Sequence, residues 1–176
     1  MRAARVDDTP DGKVAADDGW FILNLADIRW ETVPGGGTWC VFEAPDAPSS
    51  RLGIGVHVLL PGETPGYYHA ENEQEGFLVL SGECIAVIEG QERRMRAWDY
   101  LHCPPDTAHI TIGAGQEPCA ILMVGTRSAQ HRIRYLVDAA AAARGASVAR
   151  ATTSPDEAYA ERPDFTSTPA PPPFAR

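Results

Sequence analysis

Short apolar stretches separated by glycine and proline run through the central part of the chain. In residues 52–60, apolar side chains alternate with small or polar ones, which is the spacing of a strand with one buried face. Similar stretches follow at residues 77–81, 83–88 and 120–125. Almost no helical period interrupts this series between residues 20 and 136. The pattern predicts an all-β domain, built as a sandwich or a barrel.

The two ends of the chain differ from this central part. Residues 1–18 mix charged residues, glycine and proline without a period, which predicts a disordered leader. Beyond the strands, the Ala-rich segment 138–144 ends at Gly145 and predicts a short helix. The sequence Ser154-Pro155-Asp156-Glu157 has the pattern of a capping box and predicts a second helix. The proline-rich residues 163–176 are expected to be extended or disordered, packed on the barrel or across a dimer.

These boundaries divide the chain into three parts. They are a disordered leader at 1–18, a barrel at 19–136, and short helices with a Pro-rich tail at 137–176. A length of 176 residues suits one such domain with tails.

Charge and composition exclude several classes of partner. The net charge of −9 argues against binding to nucleic acid or to an anionic membrane surface. No apolar run approaches the roughly 20 residues that span a bilayer. The N-terminus is polar and shows no apolar signal region, so we expect a cytoplasmic protein. Its four cysteines contain no Cys-x-x-Cys pair, which favours free thiols over a structural zinc site.

Side chains that bind metals concentrate in two stretches. The stretch from Gly62 to Gly82 contains His69, Glu71 and Glu75, and a second stretch carries His109 just after a Pro-Pro corner. His69 and Glu71 are two residues apart on a predicted strand, so their side chains point to the same face. If Val56 and Val58 face the interior, the neighbouring strand aims this pair inward too. Imidazoles and carboxylates that converge inside a β-domain form a candidate metal site.

The two stretches resemble the paired motifs of the cupin superfamily. These motifs are a glycine, His-x-His, a glutamate and a glycine, and then Pro-x-Gly and a histidine. His69, Glu75 and Gly82 match the first motif, and Pro104 and His109 match the second. The resemblance covers about residues 52–125. It implies a double-stranded β-helix (jelly-roll) barrel that binds a divalent transition metal at these positions and usually forms a homodimer.

The sequence departs from the family pattern at four points. Glu71 replaces the second histidine of His-x-His, and Trp98 replaces the glycine that opens the second motif. Pro104-Pro105-Asp106 stands in place of Pro-x-Gly, and Gly113 in place of a frequent asparagine. The spacing of strands and corners is intact, so the resemblance supports the fold without identifying a reaction.

The ligand set leaves three roles open for Glu71. As a fourth ligand it would join His69, Glu75 and His109 in a set of two imidazoles and two carboxylates, which suits Mn, Fe(II), Zn or Ni. Off the metal it would be a base beside open metal positions, or a bystander, a solvated carboxylate at the rim of the barrel. His102 is a further candidate ligand, ligand partner or acid/base. Its alternative is a strand histidine that is hydrogen-bonded to water or backbone.

Three functional hypotheses follow. The first is a metalloenzyme that acts on a small organic molecule, as an oxygenase, isomerase or lyase. The second is a non-catalytic small-molecule or metal-binding module, such as a sensor. The third is a barrel that has lost its metal and serves as an assembly subunit. His57 lies opposite in parity to the apolar alternation, so it is expected at the surface or at an interface, and Cys103 is expected to be structural.

Overall fold

Antiparallel strands form most of the regular structure in the computed structural model, which describes residues 2–175. The strands are β1 (Val6–Thr9), β2 (Gly12–Ala15), β3 (Trp30–Val33), β4 (Gly37–Val41), β5 (Leu52–Leu59), β6 (His69–Glu71), β7 (Glu75–Ser81), β8 (Glu83–Ile88), β9 (Gln91–Arg96), β10 (Tyr100–Cys103), β11 (His109–Ala114), β12 (Cys119–Thr126), β13 (Ile133–Tyr135) and β14 (Thr166–Thr168). The short helices are α1 (Ala139–Ala142) and α2 (Pro155–Ala158). Within this part of the chain, neither helix has the length and apolarity needed to cross a bilayer.

Two facing sheets carry the fold. One has seven strands in the order β10-β7-β12-β5-β4-β3-β14, and the other has five in the order β13-β6-β11-β8-β9. Non-consecutive neighbours such as β12 between β5 and β7 are typical of a jelly roll. The predicted all-β jelly-roll class is therefore confirmed, although hydrogen bonding between the strands does not close the two sheets into one continuous barrel.

The space between the sheets is filled by apolar side chains from both. Leu59, Phe77, Val79 and Ile121 come from the larger sheet, and Ala86 comes from the smaller one. The side chains of a strand alternate between its two faces, so these positions define the inner face of each strand. The polar site described below lies at one end of this inner core.

A second core covers the outer face of the larger sheet. Val56 and Val58 pack there with Trp30 and Ile28, and not against the inner core. These two valines therefore do not face the space between the sheets, and the inward orientation of His69 and Glu71 does not follow from them. Strand β5 is buried on both faces. Its large apolar side chains at alternate positions belong to the outer core, because Gly55 and His57 occupy the inner positions. Alternation alone reveals a buried face and not which of two cores it joins.

The outer face of the smaller sheet is covered by the segment that follows β13. Ile110 and Ile112 of β11 pack against Ala141 of α1 and against Ala146. Helix α1 begins at the N-cap Asp138, whose carboxylate accepts a hydrogen bond from the Ala141 amide. This is the first of the two predicted helices, and both are present.

The N-terminal segment is ordered as a hairpin, which differs from the disordered leader that we expected over residues 1–18. Val6–Thr9 pairs antiparallel with Gly12–Ala15, and Ala15 is buried. The turn signal is Thr9-Pro10-Asp11-Gly12, a proline, aspartate and glycine sequence typical of tight turns. The strands have few apolar residues because the hairpin packs at the edge of the outer core, where one face stays in water.

The C-terminal segment runs back across the larger sheet. Helix α2 follows the N-cap Ser154, whose side chain accepts from the Glu157 amide, which is one half of the predicted capping box; the Ser154 amide donates to Thr152 Oγ1 and not to Glu157. Strand β14 then pairs with β3, and the Phe174 ring stacks on Trp30 at 5.6 Å between centroids. The Pro-rich tail is therefore extended and packed on the sheet, the first of the two alternatives that the sequence offered.

Gly113 of β11 is predicted to be intolerant of any side chain. Its amide donates to the Glu63 carbonyl at 2.8 Å, and an added Cβ would overlap the Leu60 carbonyl oxygen. We expect Gly113→Ala to lower the free energy of unfolding by about 1–3 kcal/mol, measured by urea denaturation. Gly125→Ala is the matched control, since its Cβ would meet Glu75 Cγ at an ordinary 3.7 Å. Equal stability of the two variants would contradict this account.

Candidate metal centre

Three strands begin at the residues that form the cluster. His69 opens β6, Glu75 opens β7 and His109 opens β11. His69 and His109 are direct partners in the antiparallel pairing, so their rings lie side by side on the inner face, 5.0 Å apart between centroids. One ligand atom from each of the three residues lies within 4.8 Å of the others. The structure therefore brings together three of the four side chains that the sequence predicts as metal ligands.

The two imidazoles are held in one orientation by the backbone. His69 Nδ1 lies 2.7 Å from the Tyr67 carbonyl oxygen, and His109 Nδ1 lies 2.9 Å from that of Thr107. A carbonyl can only accept, so each Nδ1–H donates, and a neutral ring then has its lone pair on Nε2. Metal-bound histidines in proteins are fixed in the same way.

His109 Nε2 supplies the test of whether a metal fits this cluster. This atom is buried and has no hydrogen-bond partner in the region spanning residues 2–175. It lies 3.2 Å from Glu75 Oε2, which is an ion-pair distance if the ring is protonated. In the neutral ring this buried nitrogen is unsatisfied, which is costly unless a proton shared with Glu75 or a metal ion binds it. Two Nε2 lone pairs and a carboxylate suit a divalent transition metal.

The charges in the cluster shift the two imidazoles in opposite directions. Burial lowers the pKa of His69, and the neighbouring His109 lowers it further. Burial also disfavours the charged form of His109, but the Cys103 thiol and the Glu75 carboxylate outweigh it and hold the pKa of His109 above its usual value. Without a metal, His109 and Glu75 thus form an ion pair. A metal that binds here displaces that proton.

Glu71 lies beside the cluster and is held by a different partner. Its Oε1 is 3.8 Å from His69 Nε2, whereas its Oε2 is 3.0 Å from His131 Nε2. The group of three residues does not include it. His131 has no sequence motif, and it reaches Glu71 because β13 pairs with β6 with Ile133 opposite Glu71. The sequence interpretation missed His131 for that reason.

His102 is not part of the site. In the pairing of β10 with β7, Cys103 lies opposite Glu75 and Leu101 lies opposite Phe77, and these residues point inward. His102 lies between them, opposite Gly76, and is exposed. His102 is therefore neither a ligand nor an acid/base of this site, because successive side chains of a strand point to opposite faces and that of His102 points outward.

His57 is inside the protein and not at the surface or an interface as expected. It lies opposite Ile121 in the pairing of β5 with β12, and it faces the interior between the sheets. Its Nδ1 is buried and has no hydrogen-bond partner within the described sequence. The expectation was wrong because Val56 and Val58 pack in the outer core, so the residue between them, His57, points to the inner face of the strand.

A cavity of about 240 Å³ lies against the cluster. Its polar wall contains the metal-site residues, and its other walls are apolar apart from His57, Thr111 and Tyr159. The lining residues are His57, Pro65, Gly66, His69, Glu71, Glu75, Phe77, His109, Ile110, Thr111, Met123, Ile133 and Tyr159. A second cavity of about 410 Å³ shares His57, Glu71, Glu75 and Met123 with it, so the two adjoin. Together they provide room for a small organic molecule beside the candidate ligand atoms.

The C-terminal segment forms part of the cavity wall. Tyr159, just after α2, stacks on Tyr67 at 5.2 Å between centroids and meets Tyr135 edge to face at 5.5 Å. Arg162 donates hydrogen bonds to the carbonyl oxygens of Thr64 and Pro65, both at 3.1 Å. These contacts attach the tail to the loop before β6, so the tail shapes the site as well as covering the sheet.

His57 is predicted to make stability depend on pH in the metal-free protein. Burial, helped by the charge of Arg162, lowers the pKa of His57 from 6.5 to about 4. In the unfolded chain His57 becomes protonated near pH 6.5, whereas in the folded protein it becomes protonated only near pH 4. Stability is full above that window and falls by about 2 kcal/mol as the pH decreases through it, allowing for solvent access through the cavity.

Urea unfolding at several pH values between 4 and 7 measures this effect. We expect His57→Leu to have a flatter profile than the wild type, and His102→Leu to retain the wild-type slope because His102 is exposed. An unchanged slope in His57→Leu would show that His57 titrates normally in the folded protein.

Comparison with known proteins agrees with the fold. The family model described as cupin domain matches residues 55–125. A proposed sugar phosphate isomerase from Acidithiobacillus ferrooxidans is similar in structure, with a TM-score of 0.50 and 26% identity over 57% of this chain and 65% of that one. A sugar phosphate isomerase of the cupin superfamily from Silicibacter pomeroyi has the same TM-score and identity, over 59% and 67%. No curated protein matches the chain.

The two-sheet jelly roll agrees with the cupin domain match over residues 55–125 and with these two similar structures. The resemblance stated from the two sequence motifs is thereby confirmed. The chain spans 65% of the length of the Acidithiobacillus protein, slightly less than two thirds.

Proposed function

We propose that this protein is a metal-dependent enzyme of the isomerase type, acting on a small molecule that carries a carbonyl group next to a hydroxyl group. The observation that carries the proposal is the cluster of His69, Glu75 and His109, with ligand atoms within 4.8 Å of one another, on the wall of a cavity with a separate carboxylate beside it. A purely structural polar cluster would not need a cavity.

His69 Nε2, His109 Nε2 and a Glu75 oxygen are the atoms that would hold the metal. A set of two imidazoles and one carboxylate suits Mn, Fe, Zn or Ni and leaves positions open for substrate. When bound, the metal would supply a Lewis acid that polarises a carbonyl or hydroxyl oxygen.

Glu71 is the base in this proposal. Its carboxylate lines the cavity, stands outside the group of three, and is oriented by His131 at 3.0 Å. It would accept the proton from the carbon that carries the hydroxyl group and return it to the carbonyl carbon, while the hydroxyl proton passes to the former carbonyl oxygen. This exchange balances without an oxidant or a second substrate, and general base catalysis of this kind needs one positioned carboxylate.

The apolar walls favour such a proton transfer. Phe77 packs against the His109 ring at 5.0 Å between centroids, and Met123 and Ile133 line the same cavity. Such walls limit the water beside a bound substrate and so reduce side reactions of the intermediate, while the proton on Glu71 exchanges in part with solvent between its removal and its return. The names of the two similar structures support an isomerase over an oxygenase or a lyase for this chain.

Hydrogen exchange tests the proposal. Protein loaded with Mn, Fe, Zn or Ni in turn is incubated in D₂O with aldose and ketose phosphates of three to six carbons, and ¹H NMR follows deuterium entering the carbon next to the carbonyl. We expect exchange and isomerisation with at least one compound. Metal uptake and compound binding without any exchange would instead support the non-catalytic binding module.

A further inference from the structure

His57 is the polar side chain of the cavity that the proposed metal site and base leave unused. It lies on β5, in the opposite sheet from His69 and His109, and it lines both cavities. It is not part of the metal-binding group. Its buried Nδ1 has no hydrogen-bond partner in residues 2–175. A buried imidazole nitrogen without a partner is costly, so its retention points to a ligand that completes it.

Arg162 supplies a positive charge behind the same wall. Its guanidinium donates to the carbonyl oxygens of Thr64 and Pro65, and it lies 5.4 Å from the centre of the Tyr159 ring. The ion pairs within the described residues include no carboxylate on Arg162, so this charge is not neutralised locally. The positive charge of Arg162 also contributes to the lowered pKa of His57, so the two groups interact electrostatically. A partly buried cation without an anionic partner favours an anion nearby.

The other basic side chains near the cavities already have partners. Arg127 at the outer cavity binds Glu43 through two hydrogen bonds, at 2.7 and 3.0 Å. His131 is held by Glu71 at 3.0 Å. The positive potential that remains available therefore lies on the side of His57 and Arg162.

We propose that His57 and Arg162 form the subsite for an oxyanion of the substrate, a phosphate or carboxylate group. An N–H of the His57 imidazole donates a hydrogen bond to an anionic oxygen, and the charge of Arg162 stabilises that oxygen through the Thr64–Pro65 wall. The substrate is then anionic at one end and binds the metal through neutral oxygens at the other. The inference rests on the proposed function in using the same cavity, but it does not require catalysis.

Three small probes test the subsite by calorimetric titration into zinc-loaded protein. They are glycerol, which has no anion, 3-hydroxypropionate, which carries a carboxylate, and glycerol 3-phosphate, which carries a phosphate. We expect at least one anionic probe to bind about tenfold or more tightly than glycerol. A hydrogen bond from a buried donor to a charged oxygen contributes enough free energy for an affinity ratio of this size. The better anionic probe identifies which oxyanion the subsite takes.

Substitutions then assign the effect to the two residues. His57→Leu removes the hydrogen bond and should weaken the better anionic probe about tenfold. His57→Gln keeps a donor and should recover part of the affinity. Arg162→Gln should weaken the anionic probes and leave glycerol unchanged, and the exposed His102→Leu should behave as wild type. Metal content and circular dichroism verify that each variant is folded and loaded.

The outcomes separate this inference from the proposed function. Anionic probes that bind no more tightly than glycerol, or His57→Leu and His57→Gln variants with wild-type affinity, would overturn the oxyanion subsite even if the enzyme is active. If wild-type protein takes up no metal, the proposed function fails, and the same titrations on metal-free protein decide the subsite because neither residue is a metal ligand. His57-dependent binding of an anion in that case would support the inference alone.

Discussion

His109→Ala is expected to leave the purified protein with less than about one tenth of the metal content of the wild type. His109 contributes a buried Nε2 whose orientation is fixed by the Thr107 carbonyl, so nothing else in the cluster can replace it. Loss of a residue that merely orients a ligand weakens metal binding about 10–100-fold, and loss of the ligand itself should cost at least the upper end of that range. Elemental analysis after dialysis, and competition with a chelator, measure both quantities.

His102→Ala is the matched control for this variant. Both residues are histidines and lie only seven positions apart in the sequence, but His102 is exposed and faces away from the cluster. It should therefore keep the full metal load and the wild-type affinity. A His109→Ala protein with as much metal as His102→Ala would mean that the ligand assignment is wrong.

Glu71→Gln and Glu75→Gln are expected to fail in different ways. Glu75 is within the group of three ligands, so Glu75→Gln should lose the metal. Glu71 is held by His131 outside that group, so Glu71→Gln should keep the metal but lose about 10²–10⁴-fold in kcat, the usual contribution of a general base. The measurements are elemental analysis and the rate of deuterium exchange into the best sugar phosphate.

The amide substitution changes charge while preserving shape, which limits effects on folding. Glu71→Asp should recover part of the activity, since it restores a carboxylate at a greater distance from the substrate. If Glu71→Gln loses metal as completely as Glu75→Gln does, Glu71 is the fourth ligand and the assignment of Glu71 as the base is refuted.

The fold and the core of the site could be predicted because they depend on local patterns. Strand alternation and turn residues indicated an all-β jelly roll, and the spacing of the two motifs brought His69, Glu75 and His109 to the starts of three strands. The direct pairing of His69 with His109 confirms that their rings share one face. Four free, buried cysteines also agree with the expected thiols, including Cys103 as a core residue beside the cluster.

What the sequence did not reveal depends on non-local packing. Whether Val56 or His57 faces the cavity follows from the second core formed by Trp30 and the tail, and a single strand carries no record of that core. The contact between His131 and Glu71 depends on the pairing of two strands that are distant along the chain. A homodimer and a cytoplasmic location stay predictions.

Crystals of the zinc-loaded protein, measured at the zinc absorption edge, test the central claim most directly. We predict an anomalous peak about 2.0–2.2 Å from His69 Nε2, His109 Nε2 and a Glu75 oxygen. Bound zinc without a peak between these three side chains, or a peak elsewhere in the protein, would contradict the account.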